Sequence, residues 1–295
     1  MKTRRKTFLT AIAAGAGLVF GALAVSGQQS PPALTQEQIK QIVASPDRSA
    51  ADRTNDLRRK PQEMLLFIGI RPGITALDLS AAGGYTTELL ARAIGPSGIV
   101  YGQSRPRDPS RPPTPPAAPE GNSHPTAASG TAPAATPPPP AGAPRPSPDA
   151  LAGRDSALRK AEIKAAPITA VVRPFEDPIP PGLAPFDLVT LMFNYHDLGH
   201  LGVDRAAMNR AVFQALKPGG FYVIADHSGR PGTGISESGT LHRVEEAFLR
   251  KEVEAAGFKL AAEGTFLRNP NDPRDKNTPD PPQPKDEFVL KFVKP

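Results

Sequence analysis

The chain has 295 residues, 39% apolar, 22% charged and 6% aromatic, with 37 prolines, no cysteine and no tryptophan. That length suits one large domain or two small ones, and the missing cysteine excludes disulfide frameworks, cysteine-ligated metal sites and a thiol nucleophile. The net charge is +6, but without Lys2, Arg4, Arg5 and Lys6 it is +2, with 31 bases against 29 acids. The charge therefore gives no support for a nucleic-acid substrate.

Met1–Lys6 is basic, Phe8 to Ser26 is uncharged and mostly apolar, and the chain then turns polar. With the small residues Ala24-Val25-Ser26 before the polar stretch, this order predicts a bacterial-type export signal over residues 1–27. The run is nearly long enough to span a bilayer, so an uncleaved N-terminal anchor is the competing expectation. Either one places the body outside the cytoplasm, in the periplasm or anchored at the inner membrane. No other segment reads as membrane-spanning, and residues 28–295 read as a single domain with one interruption.

Residues 34–60 are predicted helical, broken at Pro46, and read as a solvated cap. Pro61–Ile70 is an apolar helical stretch ended by Arg71-Pro72-Gly73. Ile74–Ser80 has the composition of a buried strand, Ala81–Gly84 is a small-residue turn, and Thr86–Gly95 is a helix with a threonine cap. Ile99–Gln103 is a second strand. Residues 105–150 hold 16 of the 37 prolines and few large apolar residues. Such a segment buries too little surface to offset its ordering entropy and is predicted to be a disordered or polyproline-like surface insertion.

The alternation resumes with a helix over Leu151–Ile163 and strands over Ile168–Val172 and Phe186–Phe193. A helix over Val203–Gly220, a strand over Phe221–Asp226 and a long amphipathic helix over Ser238–Gly257 follow. Two strands, Phe258–Leu267 and Glu287–Lys294, close the chain. This alternation predicts a mostly parallel sheet with helices on both faces. Two final strands without an intervening helix make the last one antiparallel.

In such a sheet ligands bind beyond the C-terminal strand ends. Asp78 ends an otherwise apolar strand, and a carboxylate there needs solvent, hydrogen bonds or a cation. Small residues after it let a ligand approach the backbone and the next helix N-terminus. No G-x-G-x-x-G fingerprint is present.

Ile74–Gly102, Phe186–Leu198, Leu216–His227 and the C-terminal strand resemble class I S-adenosylmethionine-dependent methyltransferases. They are similar in particular to a group of predicted exported bacterial members. The resemblance implies an α/β, Rossmann-like methyltransferase fold with a seven-stranded sheet, order 3-2-1-4-5-7-6, strand 7 antiparallel. It implies S-adenosylmethionine as cofactor, bound by the turn from Asp78 to Gly84. Asp78 faces the methionine ammonium group, and Ser80, Ala82 and Gly84 stand at the three glycine positions, with Gly83 between the last two. Gln103-Ser104 replaces the family's ribose-binding acid, leaving Ser104 as the hydrogen-bonding group there. Arg173-Pro174-Phe175 replaces the adenine-contacting acid, so Phe175 stacks or Glu176 or Asp177 substitutes. Asn194 completes the cofactor set.

Methyl transfer from a sulfonium is an in-line displacement that needs alignment above all, and a base only if the acceptor carries a proton. The candidates are His196, Asp197 and His227 after the fourth and fifth strands. The acceptor expected is a small molecule rather than nucleic acid. A non-catalytic exported binding protein on the same fold is the alternative. His196, Asp197, Asp226 and His227 also have metal-ligand chemistry, but no motif with metal-ligand spacing supports it, and no metal is expected.

Overall fold

The computed structural model describes Met1 and residues 31–107, 147–183, 185–277, 279 and 283–295. The predicted export signal or anchor lies outside the described residues, as does nearly all of the predicted insertion. The chain divides into two units, Met1–Ser30 and Pro31–Pro295, and the second is the one described.

Its elements are α1 (Gln36–Val43), α2 (Ala50–Arg59), α3 (Pro61–Ile68), β1 (Thr75–Leu79), α4 (Tyr85–Ile94) and β2 (Ile99–Ser104). After the insertion come α5 (Ser147–Lys160), β3 (Ile168–Val172), β4 (Phe186–Met192), α6 (Asp197–His200) and α7 (Arg205–Ala215). The chain ends with β5 (Leu216–His227), α8 (Glu246–Ala255), β6 (Lys259–Gly264) and β7 (Glu287–Val293). The sheet order is β3-β2-β1-β4-β5-β7-β6. The pairs from β3 to β5 are parallel, and β7 runs antiparallel to both β5 and β6. This is the predicted fold and strand order.

Alternate side chains of each central strand serve opposite faces, as the period of two requires. Ala76, Leu188 and Val223 pack with Ile39, Leu65, Leu90 and Ile94 on one face. Leu77, Leu79, Val189 and Ile224 pack with Met208, Val212, Leu249 and Val253 on the other. β1 is buried on both sides, and its position between β2 and β4 is the point where strand order reverses. A site is expected beyond that strand end.

Four local expectations are corrected. Gly84, not a threonine, caps α4, and Thr87 is already helical. α7 stops at Ala215, so that Leu216–Gly220 joins β5, with Gly219 N–H bonded to Lys294 O. The long helix predicted from Ser238 is only α8. Val244 bridges to Ser228, and Arg243 is fully buried against Asp272 and the carbonyls of Ser228 and Lys276. These tertiary bonds hold 238–244 out of the helix despite their helical periodicity. α5 begins at Ser147, so the last residues assigned to the insertion are helical.

The charged stretch of α2 is more than a solvated cap. Arg154 of α5 pairs with Asp52 of α2 at 2.8 Å and with Glu88 of α4 at 2.5 Å, and Arg48 pairs with Asp56 at 2.6 Å. Arg92 of α4 joins Asp47, ahead of α2, at 2.5 Å. Asp52 is only 4% exposed, so losing its partner strands a buried charge. Arg154→Met is expected to destabilise the protein by about 3 kcal/mol, read by urea denaturation. A loss below about 1 kcal/mol would show that the ion pairs do not hold α2 in place.

Candidate functional site

A cavity of about 490 Å³ opens beyond the end of β1. Asp78 and the turn through Gly83 form one side, Met192–Asn194 and Asp197 another, and α2 covers it with Asp52, Asn55 and Arg59. The three α2 residues are spaced i, i+3, i+7 and so share a helix face. That spacing was present in the sequence but was masked by the density of surrounding charge.

Asp78 is 2% exposed. Its carboxylate accepts from Thr87 Oγ1 at 2.6 Å and from Thr190 Oγ1 at 2.8 Å. Burial pushes its pKa up to about 6, against the two hydroxyl bonds that favour the ionised form. The turn after it is unusual. Ser80, Ala82 and Gly84 have φ of 56°, 47° and 78°, all in the left-handed region that glycine tolerates best. These are the three positions that the resemblance assigns to glycine. At Gly84 a Cβ would stand 2.7 Å from Leu151 Cδ2 and 2.8 Å from Arg154 Cδ, whereas at Gly83 it would meet open space.

Gln103 secures this turn from below. Its Oε1 accepts from Ser80 N at 3.0 Å, its backbone O from Ala81 N at 2.8 Å, and its Nε2 donates to Arg173 O at 2.7 Å. The residue in the place of the ribose-binding acid therefore buttresses the loop and does not face the cavity. Of the predicted cofactor residues, Asp78, Ser80, Ala82, Gly83 and Asn194 line the cavity, and Gly84 sets its shape. Ser104 is not among the lining residues, and its carbonyl accepts from Arg173 N. Phe175 is 5% exposed and packs in the core with Leu77 and Phe186. Asp177 pairs with Arg173 at the surface, and Glu176 accepts from Asp204 N. None of these three occupies the cavity wall. Instead Arg59 lies there, its guanidinium 4.5 Å from the Phe193 ring centre and 5.5 Å from that of Tyr85.

Beyond β4 and β5, His196, Asp197, Asp226, His227 and His242 gather. The Asp226 carboxylate, fully buried, accepts from His196 Nδ1 at 2.5 Å, His196 N at 2.8 Å and His227 N at 2.7 Å. His196 Nε2 lies 3.1 Å from Asp197 Oδ1, and His242 Nδ1 reaches the same oxygen at 2.9 Å. Asn194 Nδ2 donates to Asp197 Oδ2 at 3.0 Å. Burial opposes charge on His196, but Asp226 and Asp197 outweigh it and lift the pKa to about 9. Burial would raise Asp197, yet His196 and His242 hold it well below the usual carboxylate range. His227 is a different case. Burial, Lys285 and His196 keep it neutral, and its Nδ1 lies 3.0 Å from Glu287 Oε1, away from the cavity wall. The structure thus brings His196 and Asp197 together at the cavity edge and sets His227 behind them.

No protein-family model matches the chain, and no curated protein sequence matches it. Solved structures do. A chain of the Haloferax volcanii complex between the Trm112 methyltransferase activator and a methyltransferase superposes with a TM-score of 0.50 at 16% identity, covering 89% of this chain and 99% of that one. A SAM-dependent methyltransferase from Aquifex aeolicus gives 0.49 at 14% identity, over 89% of this chain and 100% of the other. Aeropyrum pernix fibrillarin, solved with natively bound S-adenosyl-L-methionine, gives 0.40 at 15%, over 76% and 68%. The Haloferax likeness and the strand order define the fold as the Rossmann-like class I methyltransferase fold.

Left-handed alanine costs about 1–2 kcal/mol relative to glycine. Ala82→Gly is therefore expected to raise stability by about 1 kcal/mol after its own unfolded-state entropy is counted, measured by thermal and urea unfolding. Unchanged or lower stability would mean that Ala82 is not held in that conformation.

Proposed function

We propose that the protein is an S-adenosylmethionine-dependent methyltransferase whose cofactor lies in the cavity between α2 and the β1–α4 turn. The observation that carries this reading is the turn: all three glycine-type positions are left-handed beneath an open cavity, although two of them are not glycine. The cavity also fits such a group chemically. Asn55 Oδ1 is a buried acceptor without a partner among the described residues, and the amine and ribose hydroxyls of the cofactor are donors. Asp78 supplies an anion for the ammonium group. Gly83 leaves the backbone open to close approach.

When bound, the cofactor supplies an electrophilic methyl group on sulfur. The chain's own work is alignment and exclusion of water. Asn194 and Asp197 form the wall beside the Asp78 turn, where an acceptor would dock. With no cation beside it, His196 is held protonated by Asp226 and Asp197, so it donates to Asp197 rather than acting as a base. His227 acts through packing. The acceptor we infer is a small molecule, since the cavity is walled by α2 and the turn rather than spread over a basic face. Residues 1–27 support export, with anchoring at the membrane if they are retained. N-terminal sequencing of the protein purified from cell fractions tests this, and an intact Met1 on soluble cytoplasmic protein would contradict it.

Asp78 gives the cofactor assignment a pH signature. Its raised pKa means that the native state binds more protons than the unfolded state between about 4 and 6. Asp78 therefore costs stability as pH rises through that window. A cationic ligand favours the carboxylate, so affinity is expected to rise from pH 5 to 7 and then level off. Calorimetric titration with S-adenosylmethionine checks this. Asp78→Asn is expected to weaken binding about tenfold or more at pH 7.5, on the scale of one hydrogen bond to a charged group, and to flatten the profile. Equal affinities of wild type and variant across the range would place the ammonium group elsewhere.

A further inference from the structure

Four of the five histidines of the chain, His196, His200, His227 and His242, lie around the ends of β4 and β5. We propose that His196, Asp197 and His242 form a binding site for a first-row divalent metal ion of the Zn²⁺ type, beside the cofactor cavity. The proposal does not rest on the methyltransferase reading.

The geometry supports it in three ways. First, the donor atoms already stand close to the spacing an ion needs. His196 Nε2 and His242 Nδ1 are 3.1 and 2.9 Å from Asp197 Oδ1, and all three donors lie within 4.8 Å of one another. Ligand atoms around a tetrahedral ion with bonds of about 2.0–2.2 Å are about 3.3–3.6 Å apart, so the donors need to part by only a few tenths of an ångström.

Second, the two interior donors are oriented from behind. Asp226 is fully buried and bound to His196 Nδ1, which turns Nε2 toward Asp197. Asn194 holds the remaining oxygen of Asp197. Carboxylate–histidine–metal relays use this arrangement to fix the tautomer and the ring plane. Asp226 cannot itself be the centre of the site, because the His196 ring and the amides of His196 and His227 already occupy it.

Third, His242 is held in the left-handed region, with φ of 52°. Strain of that kind at a side chain aimed into a polar cluster is found at functional sites. His242 is 39% exposed at its side chain and Asp197 26%, so an ion has a route in. His200 Nδ1 is engaged by Ser238 Oγ at 3.0 Å and is 3.9 Å from Asp197 Oδ1, which leaves it outside the set. Two imidazoles and one carboxylate favour Zn²⁺ or a neighbouring transition ion over Mg²⁺ or Ca²⁺. Asp197 also borders the cavity, so the ion would face whatever occupies it.

The test is calorimetric titration of tag-free, chelator-treated full chain with ZnCl₂ and with MgCl₂, without any cofactor. One Zn²⁺ per chain at micromolar or tighter affinity is expected, with no Mg²⁺ binding in that range. His242→Asn tolerates the left-handed backbone and sits at the surface, so it is expected to fold normally and weaken Zn²⁺ binding at least tenfold. Asp226→Asn is expected to weaken it about 10–100-fold, whereas His200→Ala leaves it unchanged. A Co²⁺ absorption spectrum that disappears in His242→Asn would confirm direct ligation. Absence of Zn²⁺ binding, or equal affinity in wild type and His242→Asn, would overturn the proposal. So would loss of binding in His200→Ala with retention in His242→Asn.

Discussion

The structure turns on one buried carboxylate. Asp78 closes the central strand of the sheet, at the point where strand order reverses. It keeps its place through two hydroxyls, Thr87 from the helix that follows and Thr190 from the neighbouring strand. Those bonds tie β1, α4 and β4 together around the turn. Thr87 makes its bond from inside the first turn of α4, which Gly84 starts in a left-handed conformation. Removing water from Asp78 raises its pKa, so a cation arriving from the cavity would relieve a cost that the fold already bears.

Around that anchor the chain builds the cavity from parts distant in sequence. Gln103 fixes the turn from β2, α2 roofs it, and Arg154 from beyond the insertion bonds the carbonyl of Gly83 at 2.5 Å while pairing with α2 and α4. The helix that follows the insertion in sequence, α5, is therefore an element that closes the site. Gly102 shows how closely the layers meet, since a Cβ there would come within 2.6 Å of Leu151 Cδ1.

Much of this was legible in the sequence. The alternating strands and helices, the two final strands and the small-residue turn after Asp78 follow local periodicity and composition, and the structure has them in that order. The sequence misled where tertiary bonds overrode local pattern. Arg243 looks helical by periodicity, but its buried pair with Asp272 fixes a turn. Phe175 looks like a stacking platform beside the cavity, yet the sheet face draws it into the core. Gln103 stands where an acid was expected and hydrogen-bonds the backbone instead. The roof residues Asp52, Asn55 and Arg59 had a visible helical spacing, but nothing in their own segment tells which way that face points. His242 is brought to Asp197 only by the fold, from 45 residues away.

The central claim is that the cavity beneath α2 receives the cofactor. A crystal structure of the protein grown with S-adenosylhomocysteine tests it most directly. The account predicts ligand density between Asp78, Asn55 and the turn at Ser80–Gly84, with the amino-acid end toward Asp78. Density elsewhere, or an unchanged cavity at saturating ligand, would contradict it.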